Sequence, residues 1–219
     1  MPLRRVPPAT NNRAMYQGER FNGYTHAAGS VLAVAAAGTL IAHAATRNDP
    51  SRMVSFSIYG ATLVLCYLVS TIYHSTRGRT KEFFRKLDYI AIYLLIAGSY
   101  TPFALVSLDK LWGRPLLYAV WALAFVGIVQ EIFVARGARL TSLAIYFFMG
   151  WIGIVAFEPL AASLTFDGLK WLLASGFIYT FGVFFYLFDE KYPHWHGIWH
   201  LFVMGGSAAH FLAVFRFVA

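Results

Sequence analysis

The chain has 219 residues, of which 58% are hydrophobic and 18% aromatic, while only 13% are charged. A soluble domain of this size carries about a quarter charged residues, so the composition excludes an ordinary soluble enzyme and points to a membrane protein. The formal charge of +8 does not indicate nucleic acid as a partner, because the basic residues stand in short segments between apolar runs, as juxtamembrane anchors do.

The first segment, MPLRRVPPATNNR, is basic and proline-containing and has no apolar core of signal-peptide length. It reads as a flexible basic arm over 1–20 that stays in the mature protein, ahead of a single transmembrane domain over 21–219. Apolar runs follow at about 25–46, 53–75, 87–107, 115–135, 140–157, 168–188 and 196–216. Each is near the ~20 residues that span a hydrocarbon core. Charged or turn-forming residues separate them, among them Asp49-Pro50, Arg77 to Arg85, Asp109-Lys110, Arg136-Gly137, Glu158-Pro159 and Asp189-Glu190-Lys191. The fifth run is the least distinct, because 160–166 is itself fairly apolar. The runs are continuous rather than alternating, which argues against β-barrel strands. The single cysteine, Cys66, excludes an intrachain disulfide and a cysteine-based metal cluster.

The expected fold is therefore an all-α membrane protein, a seven-transmembrane helix bundle. Its direction follows from Lys and Arg. The N-terminal arm and the second, fourth and sixth loops hold twelve of these residues, against six on the other side. That bias places the N-terminus in the cytoplasm, and an odd number of crossings places the C-terminus outside. The location expected is the plasma (cytoplasmic) membrane.

Charged and imidazole side chains inside a bilayer are costly and are generally kept for function. His74 ends the second run, Asp88 starts the third, and His196 and His200 open the seventh, all on the cytoplasmic side by the charge count. His196 and His200 stand four residues apart, on one helical face, with only about 6 Å between their depths. Two imidazoles at that spacing can chelate one ion, and imidazole suits zinc. His74 as a third ligand would leave an open position, the form of a catalytic rather than a structural site. A bound zinc lowers the pKa of a coordinated water to about 7. No glutamate stands between His196 and His200, so Asp88 is the candidate proton acceptor or water-positioning group. Ser70, one turn before His74, could hydrogen-bond the water or a substrate oxyanion. Blander readings stand beside these: His196 as an interfacial residue, Asp88 paired with Arg85, Lys86 or a capping amide, and Ser70 bonded back to a helix carbonyl.

Further along the chain, His26 is expected at the cytoplasmic rim of the site, and His43 at the outer interface. His210 falls ~15 Å from His200, too far for the same ion, bonding another helix or lining a cavity. Glu131 is expected to be anchored by water or by Arg136. Pro102 should kink the third helix, either as a packing irregularity or as the mark of a cavity.

Several stretches together resemble the hemolysin III family, the bacterial branch of the group that includes the adiponectin and progestin receptors (PAQR proteins). They are Asn22-Gly23-Tyr24-Thr25-His26, Ser70-Thr71-Ile72-Tyr73-His74, Leu87-Asp88-Tyr89, Ala97 to Pro102, and His196-Gly197-Ile198-Trp199-His200-Leu201-Phe202 with His210-Phe211. The resemblance covers about residues 18–217. It implies a seven-helix bundle with zinc held by His74, His196 and His200, and with Ser70 and Asp88 around the zinc-bound water. Alkaline ceramidases and related receptors share this arrangement, which implies hydrolysis of lipid amides. The first functional expectation is thus a zinc-dependent membrane hydrolase, or hydrolase-like protein, with a membrane lipid amide or ester as substrate. The second is a non-enzymatic receptor or regulator of membrane lipid homeostasis in which zinc is a structural staple. The third is a channel or cytolysin, as the family name suggests, although no amphipathic insertion segment or charged lumen stands in these residues.

Overall fold

The computed structural model describes residues 17–133 and 139–218. Its elements are all helical, and seven helical spans are long and apolar enough to cross a membrane. The helices are α1 (Arg20–Arg47), α2 (Pro50–Ser75), α3 (Gly78–Pro102), α4 (Lys110–Phe133), α5 (Arg139–Trp151), α6 (Phe157–Ser163), α7 (Phe166–Leu187) and α8 (Trp195–Phe217). A 3-10 turn over Ile152–Ala156 joins α5 to α6, and together they form the fifth crossing. A bilayer core offers backbone groups no water, so a bundle of helices satisfies them internally.

Local chemistry sets the helix ends. The Asp49 carboxylate accepts from the backbone N–H groups of Ser51 and Arg52, at 2.8 and 3.3 Å, and Pro50 occupies the first helical position. Both are favourable at an N-terminus, where the first N–H groups lack helical partners. Thr165 caps α7 in the same way, through the Gly168 N–H at 3.2 Å. Three helices, α1, α3 and α4, begin five or more residues before their apolar runs. α3 starts at Gly78, nine residues ahead of the expected 87, because the intervening Lys and Arg residues are good helix formers. α1 starts at Arg20 rather than near 25, after a 3-10 turn over Gln17–Glu19. Residues 1–16 and Arg136 lie outside the described residues. Glu131, the expected partner of Arg136, accepts a hydrogen bond from Ser142 Oγ at 3.2 Å.

α1 packs on α2, α2 on α3 and α7 on α8. Membrane helices gain little from apolar burial against one another, so close approach at small residues carries their packing. At Gly98 of α3, an added Cβ would fall 2.1 Å from the Thr62 hydroxyl of α2. Large buried groups, including Phe56, Tyr59, Tyr93 and Met149, fill the interior, while Val31, Leu32, Tyr118 and Phe125 face outward. Polar side chains add cross-links: the Tyr67 and Tyr179 hydroxyls meet Ser207 Oγ at 2.7 and 2.8 Å, joining α2, α7 and α8.

The end of α3 is distorted, and the cause is Pro102. Its ring nitrogen cannot donate, and the chain continues as a π-helical segment over Phe103–Ser107, with the Leu108 N–H reaching Phe103 O at 2.9 Å. The Phe103 N–H bonds Tyr100 O instead of Ser99 O. The Ser99 carbonyl is then bonded by His210 Nε2 of α8 at 3.1 Å. His210 thus does both things the sequence left open: it ties α8 to α3, and it lines a cavity. His43 lies near the far end of α1, where Arg47 Nε donates to it at 3.3 Å.

α4 rests against the distorted segment at Gly113. A Cβ there would stand 2.1 Å from Ala104 O, a backbone atom that no rotamer change can move. Gly113→Ala should therefore destabilise the bundle by about 1–3 kcal/mol, lowering the thermal unfolding midpoint of the purified protein by roughly 2–10 °C. Gly38→Ala, which meets nothing within 4 Å, should leave the midpoint unchanged. Equal melting curves for the two variants would show that this contact is not tight.

Candidate metal centre

Three histidines converge at the end of the bundle where α1 begins. His74 sits in the last turn of α2, and His196 and His200 share one face of the first two turns of α8. His74 and His200 are 2% and 0% exposed; His196 is half-buried. Their ring centroids lie 4.7 to 5.2 Å apart. One ligand atom from each falls within 4.8 Å of the others, so the group could hold a metal ion. The interfacial reading of His196 gives way to membership of this cluster.

The nitrogens are divided in a consistent way. His74 Nδ1 bonds the Glu19 carboxylate. His196 Nδ1 donates to Asp189 Oδ2 at 2.5 Å. His200 Nδ1 donates to Asn22 O at 3.3 Å and stands 3.3 Å from the Thr25 hydroxyl. Every Nδ1 thus carries the proton, which leaves the lone pair on Nε2. All three Nε2 atoms are buried and have no hydrogen-bond partner among the described residues. Leaving such acceptors unpaired costs about 1–3 kcal/mol each, and a single cation satisfies all three. The donor set therefore fits a metal ion, and it fits the open, three-histidine form rather than a closed four-ligand site.

The outer anchors are themselves held. Lys81 Nζ donates to Glu19 Oε1 at 3.0 Å. Burial alone would raise the Glu19 carboxyl, but the bonds from His74 and Lys81 outweigh it and hold it at about 2. A depressed carboxyl contributes fully above its ordinary value of 4.5 and loses that contribution as pH falls toward 2. The Glu19 anchor therefore keeps its charge at neutral pH. Asp189 is likewise half-buried, which raises its carboxyl, yet His196 and Arg139 bring it below the usual range. Arg139 of α5 reaches Asp189 at 2.6 Å and Glu190 at 2.7 Å, fixing the turn that leads into α8. His194 closes that turn in the left-handed region, at φ 68°.

Asp88 and Ser70 flank the cluster. Ser70 is buried one turn before His74, and its hydroxyl faces the Asp88 carboxylate without completing a hydrogen bond of good geometry. Asp88 lines a cavity of about 320 Å³ that runs inside the bundle between α3, α5, α7 and α8. The wall is mainly apolar and extends along α3 from Asp88 to Phe103, about 22 Å at the helical rise. His26 is not at the rim, as expected from the sequence: it is 3% exposed and forms part of the cavity wall. The reason is the early start of α1, which carries His26 nearly two turns into the helix.

Sequence reasoning missed Glu19, Asp189, Asn22 and Thr25. The two acids carried a usable signal, since each stands at the same end of the bundle as the histidines, but pairing each with its histidine needed the fold. Anchors of this kind typically contribute 10–100-fold to metal affinity. Glu19→Gln and Asp189→Asn should each weaken metal binding by that factor in chelator competition. His200→Ala should leave the purified protein without bound metal by elemental analysis. Equal affinities in the two anchor variants and the wild type would remove the assigned role of the carboxylates.

The profile of the family described as Haemolysin-III related matches residues 15–211. Hemolysin-3 of Bacillus cereus is 44% identical over 198 residues, covering 90% of this chain and 90% of that protein. Monocyte to macrophage differentiation factor of Homo sapiens is 30% identical over 204 residues, covering 90% and 83%. The adiponectin receptor protein of Drosophila melanogaster is 23% identical over 235 residues, covering 94% of this chain and 53% of that protein. Seven apolar crossings, the convergent histidines and a match over nearly the whole length make one conclusion: the chain belongs to the haemolysin III-related family, with more distant relatives among the adiponectin-receptor group.

Proposed function

We propose that the protein is a zinc-dependent hydrolase of a membrane lipid amide or ester, acting near the cytoplasmic face of the plasma membrane. The observation that carries this reading is the junction of two features: three orphaned imidazole nitrogens, and a long apolar cavity whose polar end holds Asp88. His74, His196 and His200 would hold the metal. Zinc, when bound, supplies Lewis-acid chemistry that activates water and polarises a carbonyl.

The remaining work falls to the protein's own groups. The apolar wall between α3 and α7 binds the hydrocarbon chain and brings the scissile carbon to the polar end. Asp88 takes the proton from the attacking water and returns it to the departing amine or alcohol as the C–N or C–O bond breaks. The products are a fatty acid and the amine or alcohol. Ser70 orients the Asp88 carboxylate. The bundle excludes bulk water from the chain-binding part of the cavity, which keeps these electrostatic interactions strong.

A regulator of membrane lipids with a structural metal is the second reading. It is favoured by the way the cluster and its anchors join four segments: the start of α1, the end of α2, the turn after α7 and the start of α8. Cytolysis, which the name of the Bacillus cereus relative states, fits less well, because the cavity wall is mainly apolar and offers no charged conduit. Asp88→Asn separates the first two readings. In the hydrolase it should lower turnover of ceramides or lysolipids at least 100-fold while leaving bound zinc and melting behaviour intact. Wild-type turnover in that variant would remove Asp88 as the proton acceptor, and a wild type inert on such a panel would favour the regulator. Dye release from liposomes on addition of the purified protein would instead support cytolysis.

A further inference from the structure

His26 is a buried imidazole whose ring packs between helices but whose nitrogens the three-histidine cluster does not employ. Its ring stacks on that of His200, with centroids 3.5 Å apart and planes 17° from parallel. Tyr67 meets it edge-on at 5.0 Å. Neither ring nitrogen has a hydrogen-bond partner among the described residues, although the residue is only 3% exposed. A neutral imidazole always carries one N–H donor and one acceptor lone pair, and burying both unpaired is unfavourable. Of the four imidazoles at this end, His26 is the one on the wall of the long cavity, at the same end as Asp88.

Stacking excludes His26 as a fourth ligand of the same ion. A metal lies in the plane of the imidazole that binds it, and two nearly parallel planes about 3.5 Å apart cannot both contain one ion at a bonding distance of about 2.0 Å. The nitrogens of His26 therefore serve something else that enters the cavity. In an apolar wall a neutral donor is best matched by a neutral acceptor, because a charge would have to be desolvated. The hydrocarbon-lined remainder of the cavity selects an occupant with a long chain.

We propose that His26 is the binding residue for the carbonyl group of the lipid, its N–H donating to the carbonyl oxygen while the chain fills the cavity beyond Asp88. This rests on the lipid reading proposed above. It assigns to α1 a recognition role apart from metal binding. It also makes the occupant an amphiphile with a neutral hydrogen-bond acceptor at the head of its chain, rather than any hydrocarbon of suitable length.

The test uses the purified, metal-loaded protein in detergent with two non-hydrolysable probes, a long-chain methyl ketone and the alkane of equal length. Their affinities are compared in the wild type, His26→Phe and His26→Gln. Phenylalanine keeps the stacked ring and removes both nitrogens; glutamine keeps an N–H. The wild type should prefer the ketone by about tenfold. His26→Phe should bring the two probes to within about twofold, and His26→Gln should recover part of the preference. Bound metal should be equal in all three proteins. An undiminished ketone preference in His26→Phe would overturn the assignment. Loss of metal in that variant would place His26 in the support of His200 instead. Binding of neither probe by the wild type would remove the lipid reading itself, and the anchor with it.

Discussion

The structure turns on the commitment of one nitrogen in each of three imidazoles to a fixed acceptor. Glu19, Asp189 and the Asn22 carbonyl take the Nδ1 protons of His74, His196 and His200. Three buried lone pairs are thereby left on Nε2, in a group whose residues each bring one ligand atom within 4.8 Å of the others. That arrangement is unfavourable in the absence of a cation, and it constrains everything around it. The end of α2 and the start of α8 must meet at one depth. The turn before α1 must deliver Glu19, and the turn after α7 must deliver Asp189. Arg139 and Lys81 hold the two carboxylates in turn, so α5 and α3 contribute to a site whose candidate metal ligands they do not supply.

A second constraint operates near the other end of the bundle. Pro102 removes a backbone donor, the following turn opens into π geometry, and the Ser99 carbonyl turns to His210 for a partner. In water the freed carbonyl would be solvated at little cost; inside a membrane it needs a partner from the protein. His210 is therefore fixed by the same proline that distorts α3. Both ends of the cavity are marked by an imidazole: His26 beside Asp88, and His210 beside Ser99 and Phe103. They differ in state, since His210 is engaged on both nitrogens and His26 on neither.

Much of this was legible from the sequence. Continuous apolar runs broken by basic segments located seven crossings, because membrane thickness fixes helix length. The His196–His200 spacing placed two candidate ligands on one face, and counting crossings brought His74 to the same end. Three things were hidden. Glu19 and Asp189 lie in connecting segments, whose positions depend on tertiary contacts rather than on periodicity. His26 was placed at the rim because the apolar run begins near 25, whereas the helix begins at Arg20 and carries it inward. The cavity was hidden because its wall draws residues from all eight helices, most of them from α3, α5, α7 and α8, and these are side chains of the same kind that elsewhere face lipid. Pro102 hinted at it, but the sequence alone could not distinguish a kink that opens space from one that is filled.

The proposed hydrolase and the proposed regulator place different demands on what surrounds a metal. A staple needs a closed coordination shell and gains nothing from polar groups that lack partners nearby, since each such group costs stability in a low-dielectric setting. Here the protein offers three imidazoles rather than four ligands. Beside them stand Ser70 and His26, both buried with unpaired polar atoms, and Asp88 on the cavity wall. Those groups are expensive to keep in a membrane, and apolar side chains of similar size could pack the same helices without that cost. They would become favourable if water and a carbonyl entered from the cavity, as the proposed hydrolase requires. The concentration of unpaired donors and acceptors between an ion site and a hydrocarbon-lined chamber is thus the physical reason to prefer chemistry over stapling.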